Sequence, residues 1–321
     1  MKIIEFLKKF NNNGFAVLIF LLALLSFALM ETTAKYLSTS YPVMQVVWAR
    51  YIFHYLALII FYIIFYFKVE FTEIFKTNSI KLHVSRSCSL FLMTFCFFYS
   101  LSILPIADAT AIVYVAPIII VILSPFLLEE KMDILKWLSV SIGFIGMLVV
   151  LKPVSIYDMI LDFSFNFEYL SAILAAIFAS LFFALYQIGS RALALAGEKP
   201  ITGVVYSGLI GALFTSAYLL LDGLFSLKFI SNTWYAPNIQ GWLFLILAGF
   251  LGALGQFLTL IAFKYASATV LAPINYVHLI YAATLSILVF SEIPKISTVF
   301  GGLIIIISGV FAYKLSQCEE Y

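Results

Sequence analysis

Charged residues are scarce in this chain: aspartate, glutamate, lysine and arginine make up 11% of the 321 residues, while 64% are hydrophobic. A soluble domain carries roughly a quarter of its residues as charged side chains. The sequence also lacks a phosphate-binding glycine loop, a zinc-binding spacing and a Ser-His-Asp order. These absences exclude a soluble enzyme. They also exclude an ATP-driven pump, because no soluble domain could hold the nucleotide.

Cysteine is equally rare. Cys88, Cys96 and Cys318 lack the spacing of a metal site. Cys88 and Cys96 are separated by about two helical turns, which is too far for a disulfide within one straight helix. We interpret the cysteines as apolar packing residues, and we expect no metal, no cofactor and no catalytic residue.

Long apolar runs are what the chain has in abundance. A helix needs about 20 apolar residues to span the hydrocarbon core, because each residue rises 1.5 Å. The runs are apolar on all sides, which excludes the short alternating strands of a transmembrane barrel. The first run is longer than the core of a signal peptide and no small-x-small cleavage site follows, so we expect it to be retained. The sequence predicts an all-α membrane protein with ten transmembrane helices, at about 14–37, 43–67, 83–104, 107–128, 133–151, 168–191, 201–221, 240–264, 267–290 and 296–315.

Basic residues alternate between the two ends of these helices. Of the 18 lysines and arginines, 13 fall on one side and four on the other, and Arg50 lies within a helix. Basic residues resist translocation, so the richer side is cytoplasmic. This predicts that both termini are cytoplasmic. The residues on the inner side are Lys2, Lys8, Lys9, Lys68, Lys76, Lys81, Arg86, Lys131, Lys136, Arg191, Lys199, Lys264 and Lys314, and those on the outer side are Lys35, Lys152, Lys228 and Lys295.

The two halves of the chain resemble each other. The sequence Ala-Asp-Ala-Thr at 107–110 matches Ala-Ser-Ala-Thr at 266–269, and Glu130 matches Glu292 at the ends of the fourth and ninth helices. We interpret these two glutamates, beside basic residues or loops, as interface anchors. Five spans in each half make the second half enter the membrane from the opposite face. The sequence therefore predicts two inverted five-helix repeats, residues 14–151 and 168–316, with a substrate site between them near the midplane.

These features resemble the drug/metabolite transporter superfamily, in its ten-helix group built from two EamA-type repeats. The resemblance rests on Ala34-Lys35, on Pro42 followed by Arg50, on the two Ala-x-Ala-Thr sequences and on the paired glutamates. Residues 271–276 and 290–294 further resemble the S-adenosylmethionine and riboflavin uptake carriers of bacteria. The resemblance implies a small organic substrate and a bacterial inner membrane.

Several ionisable residues are predicted to lie within the outer half of the membrane, where charge is costly and marks functional sites. Glu31 and Arg50 lie roughly 7 Å outside the midplane, and His54 shares a helical face with Arg50. Arg50 could hold an anionic group and Glu31 a cationic one. Alternatively, Glu31 forms an ion pair with Arg50 or with Lys35. Aromatic rings in the same half could stack on a flat or cationic ligand, and they belong to Trp48, Tyr99 and Tyr114.

The ninth helix carries a second group of polar residues. Pro273 removes a backbone donor, and Asn275, His278 and Tyr281 follow on one face near the midplane. His278 could bind substrate, take up a proton, or form a hydrogen bond between helices. Two glutamines of the inner half complete the predicted substrate-binding residues, Gln187 and Gln256.

We interpret the chain as a secondary transporter that moves an amino-acid-like, S-adenosylmethionine-like or vitamin-like metabolite by alternating access, with uptake as its direction. Its expected partners are this substrate, the lipid bilayer and protons as a candidate coupling ion. Nucleic acid is not expected, and the oligomeric state stays open. A broad-specificity exporter is the alternative. A membrane-embedded enzyme would need clustered acids, histidines or a nucleophile, whereas the acids here are scattered. A receptor would bind substrate without transporting it.

Overall fold

The fold is taken from a computed structural model that describes residues 12–66, 70–101, 103–104, 106–130, 133–151, 167–225, 234–290, 300–308 and 310–311. Throughout these ranges the regular structure is helical. Nine helices are described over most of their length: α1 (Asn12–Ser38), α2 (Val43–Phe61), α3 (Ile80–Leu101), α4 (Ile106–Val113 and Ala116–Leu128), α5 (Ile134–Leu151), α6 (Phe167–Leu195), α7 (Pro200–Phe225), α8 (Ile239–Tyr265) and α9 (Ala268–Leu271, the 3-10 turn Ala272–Tyr276, and Val277–Phe290). The helical residues 300–308 and 310–311 belong to α10.

The predicted helices agree with this architecture. Seven described helices are long and apolar enough to cross a membrane, and two shorter apolar helices lie at Ala116–Leu128 and Ile134–Val149. The all-α, multi-pass membrane fold is therefore confirmed. The predicted outer connection 153–167 is almost entirely outside the described residues, as are Glu292 and Cys318.

Two predicted helices are interrupted rather than continuous. The fourth breaks at Tyr114 and Val115, immediately before Pro117 in the first turn of its second segment. The ninth passes through a 3-10 turn that contains Pro273. Proline lacks the backbone N–H that a continuous helix requires, so a tighter turn replaces the regular ladder at both places. Both interruptions follow an Ala-x-Ala-Thr sequence within about two helical turns.

Glycines allow the helices to approach closely around the centre. A methyl group placed at Gly255 of α8 would lie 2.7 Å from the Phe27 ring of α1, and one at Gly211 of α7 would lie 2.1 Å from the Tyr51 ring of α2. Small residues permit this approach between membrane helices. The largest apolar core lies between α1, α4, α8 and α9, around residues such as Phe20 and Phe263.

Candidate functional site

Arg50 of α2 is a half-buried cation that lies between helices. Its guanidinium lies over the ring of Tyr51 at 5.4 Å. A methyl group placed at Gly252 of α8 would lie 3.3 Å from its Nε atom and 3.1 Å from Sδ of Met30 on α1. Within the described residues, no hydrogen bond or ion pair engages this guanidinium. Its five N–H donors are therefore available for a ligand.

Gln256 lies one helical turn from Gly252 on the same face of α8. The side chain is completely buried, and neither its amide nitrogen nor its amide oxygen has a hydrogen-bond partner in the described part of the chain. A buried amide without a partner costs about 1–3 kcal/mol. Arg50 and Gln256 thus place unused polar groups where α1, α2 and α8 meet.

Glu31 contacts His278 rather than Arg50. Oε2 of Glu31 on α1 lies 3.4 Å from Nε2 of His278 on α9. No ion pair between Glu31 and Arg50 forms among the described residues, so that alternative from the sequence is not supported. The other ring nitrogen of His278, Nδ1, is hydrogen-bonded to the hydroxyl of Tyr114 on α4. The side chain of Glu31 is 55% exposed and that of His278 is 9% exposed.

Gln187 and Asn275 bind each other. Nε2 of Gln187 on α6 donates to Oδ1 of Asn275 on α9 at 2.7 Å, and Nδ2 of Asn275 donates back to Oε1 of Gln187 at 3.2 Å. Nδ2 of Asn275 also reaches the carbonyl oxygen of Ala272 at 3.2 Å, in the 3-10 turn. The amides therefore join two helices in this structure, and their predicted contact with substrate stays a prediction.

His54 likewise connects two helices. Its Nε2 atom is 3.0 Å from the carbonyl oxygen of Val204 on α7, and its buried ring packs against Gly208. A methyl group at Gly208 would lie 2.8 Å from the imidazole. This position favours a packing role for His54, and its predicted contact with substrate is likewise untested.

The predicted aromatic residues do not gather at one place. Nε1 of Trp48 donates to Oγ of Ser216 on α7 at 3.0 Å. The hydroxyl of Tyr99 on α3 is hydrogen-bonded to Ser171 of α6 at 3.0 Å. Tyr281 packs against the core between α1, α4, α8 and α9. Of the aromatic candidates, Tyr114 is the one held in a polar cluster, through His278.

Arg86 is a buried residue that the sequence analysis missed. The sequence places it near the inner side, within the predicted helix 83–104, and the structure buries it inside α3, where it is 1% exposed. Its guanidinium stacks on the ring of Tyr186 at 4.6 Å. It donates to Ser190, Gly203, Ser207 and Tyr186 at 2.7, 3.1, 2.6 and 3.2 Å. The neighbouring serines of α3, Ser85, Ser87 and Ser89, were the available signal that this turn faces other helices.

A second anchor lies at the beginning of α9. Glu130, just after α4, accepts from the backbone N–H groups of Ala268 and Thr269 at 3.0 and 3.2 Å. Nε of Arg191 on α6 donates to the same carboxylate at 3.1 Å, and Nη1 of Arg191 donates to the carbonyl oxygen of Phe263 on α8. A carboxylate at a helix N-terminus satisfies free N–H groups and the helix dipole. Glu130 therefore links the end of α4 to α6 and to the beginning of α9.

Glu198, in the turn between α6 and α7, ties together two connections at one end of the bundle. Oε1 of Glu198 accepts from the hydroxyl of Thr77 at 2.7 Å, and Oε2 lies 3.3 Å from Nε2 of His83. Burial opposes ionisation of this carboxyl, but the hydrogen bonds from Thr77 and His83 outweigh it and hold its pKa below the usual value. Thr77 and Glu198 must therefore lie on the same side of the membrane.

A metal centre is not formed by the described part of the chain, since no group of three or more His, Cys, Asp or Glu side chains could hold an ion there. Cys88 and Cys96 are free thiols.

Comparison with protein families matches residues 14–152 and 170–313 to the EamA-like transporter family. Among curated relatives, the S-adenosylmethionine uptake transporter of Rickettsia bellii (strain RML369-C) is 31% identical over 292 residues, 91% of either chain. The protein of the same name from Rickettsia prowazekii (strain Madrid E) is also 31% identical, over 91% of this chain and 90% of its own. The pseudopaline exporter CntI of Pseudomonas aeruginosa (PAO1) is 23% identical over 91% of this chain and 93% of its own.

The fold matches that of a solved structure, described simply as a crystal structure of a protein. The TM-score is 0.76 at 20% identity, and the match covers 95% of this chain and 99% of the other. At this level of identity the likeness concerns the fold alone.

Proposed function

The chain belongs to the EamA-like transporter family, and from that premise we propose that it takes up a small zwitterionic metabolite of the S-adenosylmethionine class. Family and relatives make the protein a transporter rather than an enzyme. The substrate we propose carries a carboxylate together with a cationic group. The single observation that carries this proposal is the guanidinium of Arg50, which has no hydrogen-bond or ion-pair partner in the described residues.

An unpaired arginine in a membrane interior is expensive unless a partner arrives. Arg86 shows what a purely structural arginine looks like in this protein, because four groups accept hydrogen bonds from it. Arg50 has no such partners in the described residues. A substrate carboxylate would supply the two parallel hydrogen bonds that a guanidinium favours.

Two further side chains would complete recognition of such a substrate. Met30 and Arg50 both lie against Gly252, and the next residue of α1, Glu31, carries a half-exposed carboxylate that suits an ammonium or sulfonium group. Gln256, with one free donor and one free acceptor, suits a neutral polar edge of the substrate. The relatives named as S-adenosylmethionine uptake transporters support this choice of class.

The mechanism we propose is alternating access between two inverted repeats, residues 14–151 and 168–316, in a bacterial inner membrane with both termini cytoplasmic. Substrate would bind between the repeats, where polar groups of α1, α2 and α8 converge. No soluble domain is required for this cycle, because the substrate gradient or an ion gradient drives it.

Counterflow in proteoliposomes tests the proposal. Vesicles loaded with unlabelled S-adenosylmethionine should take up the labelled compound faster than protein-free vesicles. Unlabelled S-adenosylhomocysteine or methionine is then added to the outer solution. The degree to which each compound reduces uptake of the label shows which chemical features of the substrate are recognised. If folded protein exchanges none of these compounds faster than empty vesicles, the proposed substrate class is wrong.

The Arg50 variants test the carboxylate contact. Loss of a charged hydrogen-bond partner costs about 1.5–3 kcal/mol, so Arg50→Gln should raise the half-saturating concentration at least tenfold. Arg50→Lys keeps the charge but loses the paired N–H donors of the guanidinium. Its half-saturating concentration should lie between those of Arg50→Gln and the wild type. The matched control is Arg86→Lys, which should lower the thermal midpoint without a comparable change in half-saturating concentration. Unchanged affinity in Arg50→Gln would remove Arg50 from the site.

Export of a carboxylate-rich metabolite is the second candidate function. It is favoured by the relative named as a pseudopaline exporter, and Arg50 would serve such a substrate equally well. Accumulation in inverted membrane vesicles but not in intact cells would select export over uptake.

A further inference from the structure

We infer that Glu31, His278 and Tyr114 form a proton-binding site that couples transport to the pH gradient. This inference rests on the proposed function but goes beyond it, because substrate exchange needs no coupling ion. The observation behind it is that these three titratable side chains, from α1, α9 and α4, lie next to one another. We call them the proton triad.

The geometry of the proton triad suits transfer of a proton. The Tyr114 hydroxyl is hydrogen-bonded to Nδ1 of His278, and the two rings are stacked with centroids 6.1 Å apart. On the opposite edge of the imidazole, Nε2 lies 3.4 Å from Oε2 of Glu31. When Tyr114 donates to Nδ1, the neutral imidazole carries its proton on Nε2. This atom lies within ion-pair distance of the Glu31 carboxylate, although no hydrogen bond engages it in the described residues. One added proton then resides on Glu31 or on His278, and the net charge of the pair rises by one.

Exposure falls from Glu31 to His278. The side chain of Glu31 is 55% exposed and that of His278 is 9% exposed. Glu31 is therefore the point where a proton enters or leaves, and His278 holds it away from the surroundings. Among side chains, imidazole changes its charge most readily near neutral pH.

The neighbouring groups leave the change of charge to Glu31 and His278. Among the described residues, the ring of Tyr276 lies 6.3 Å from that of Tyr114, and Tyr281 of α9 packs against the adjacent apolar core. Lys35 follows Glu31 by one turn of α1. The stretch of α5 that packs against the 3-10 turn presents Gly143 to Tyr276. As residue types, tyrosine and lysine ordinarily change their charge far above neutral pH.

A contrast within the same helix argues against a merely structural link. Asn275, one turn before His278, joins α9 to α6 through a reciprocal amide pair that cannot ionise. A carboxylate–imidazole contact in the membrane costs more to maintain and gains strength when it takes up a proton. Since Glu31 lies in the first half of the chain and His278 in the second, protonation changes how firmly the two halves are held together. That is the change an alternating-access cycle needs from its coupling ion.

The test compares substrate accumulation with and without a pH gradient in the same proteoliposomes. For one proton per substrate, a gradient of one pH unit is worth about tenfold in accumulation. The wild type should approach this ratio with acid outside. His278→Gln, which can still accept from Tyr114 and donate to Glu31, should give a ratio near one, as should Glu31→Gln. Each variant is first shown to exchange substrate by counterflow, so that a ratio near one reports lost coupling and not lost transport.

A matched histidine provides the control. His83 makes the same kind of contact with Glu198, at 3.3 Å, but at the other end of the bundle. His83→Gln should keep the wild-type ratio. If His83→Gln also loses the response, or if both triad variants keep it, the assignment to the proton triad is overturned.

A second measurement needs no variant. Calorimetric titration of the purified wild-type protein with S-adenosylmethionine, in two buffers of different ionisation enthalpy, gives the protons exchanged per substrate. Between pH 6 and 8 we expect a value on the order of one, and a value of zero would overturn the inference. Counterflow without any gradient response would likewise overturn it while the proposed function stands. Absence of counterflow would instead count against the proposed function.

Discussion

Polar residues inside this protein fall into two sets. In one set the side chains form hydrogen bonds with other residues, and in the other set donors or acceptors have no partner in the described residues. Arg86 and the Gln187–Asn275 pair belong to the first set. Arg50 and Gln256 belong to the second. Unsatisfied groups are costly inside a membrane, so the buried Gln256 and the half-buried Arg50 are the positions at which we propose a ligand. Residue type alone does not separate the two, since each contains an arginine and a glutamine.

Variants of the Gln187–Asn275 pair test this distinction. Gln187→Leu leaves the amide of Asn275 without its partner, and we expect the free energy of unfolding to fall by about 1–3 kcal/mol. The double variant Gln187→Leu, Asn275→Leu should recover part of that loss, because neither amide is then left unpaired. Thermal unfolding in detergent measures both effects.

Transport by the same double variant supplies the second readout. Counterflow close to the wild-type rate would leave the pair a structural role. A stable double variant that no longer exchanges substrate would restore Gln187 and Asn275 to the substrate site that their sequence positions predict.

At the scale of elements, α9 combines an irregular backbone with side-chain contacts to several other helices. Its first backbone N–H groups donate to the carboxylate of Glu130. A 3-10 turn around Pro273 follows, and His278 then contacts Glu31 of α1 and Tyr114 of α4. Each irregular stretch frees backbone groups that need partners. The carboxylate of Glu130 supplies partners for those at the beginning of α9.

Removal of the anchor should weaken the packing of α9. Glu130→Gln leaves Arg191 without its carboxylate and weakens the cap on Ala268 and Thr269, so we expect a loss of about 2–4 kcal/mol in the free energy of unfolding. The adjacent residue Glu129 is exposed, and Glu129→Gln should change stability by less than about 0.5 kcal/mol. Thermal midpoints of the two variants provide the comparison. Equal midpoints would mean that Glu130 does not hold α9 in place.

At the scale of the whole molecule, orientation is the main prediction from charge. The 13 basic residues on one side predict that the connection near Asn78 and both termini are cytoplasmic. The contact of Thr77 with Glu198 adds a structural condition, because the turn between α6 and α7 must lie on the same side.

Single-cysteine labelling checks both statements. On a background without Cys88, Cys96 and Cys318, Asn78→Cys and Ala196→Cys should resist an impermeant reagent in intact cells, whereas Asp158→Cys should react. Both inner positions should become reactive in inverted vesicles. Reaction at Asn78 with protection at Asp158 would reverse the orientation, and a different result for Asn78 and Ala196 would contradict the structure.

Much of the architecture could be predicted from the sequence because its cause is local. Twenty apolar residues in a row must form a helix in lipid, since every backbone group has to be satisfied within the segment. The nine helices described over most of their length accordingly begin and end close to their predicted positions. The family resemblance, now established, also followed from motifs in the chain.

The candidate site depended on tertiary structure, because partners in space come from different helices. The sequence placed Glu31 and Arg50 at one depth, but only the packing shows that Glu31 faces His278 while Arg50 faces α8. It placed Arg86 near the inner end of a helix, and only the packing of α3 against α6 and α7 shows that the side chain is buried. Depth along a helix follows from residue number, whereas rotation about the helix axis is decided by the neighbours against which each helix packs.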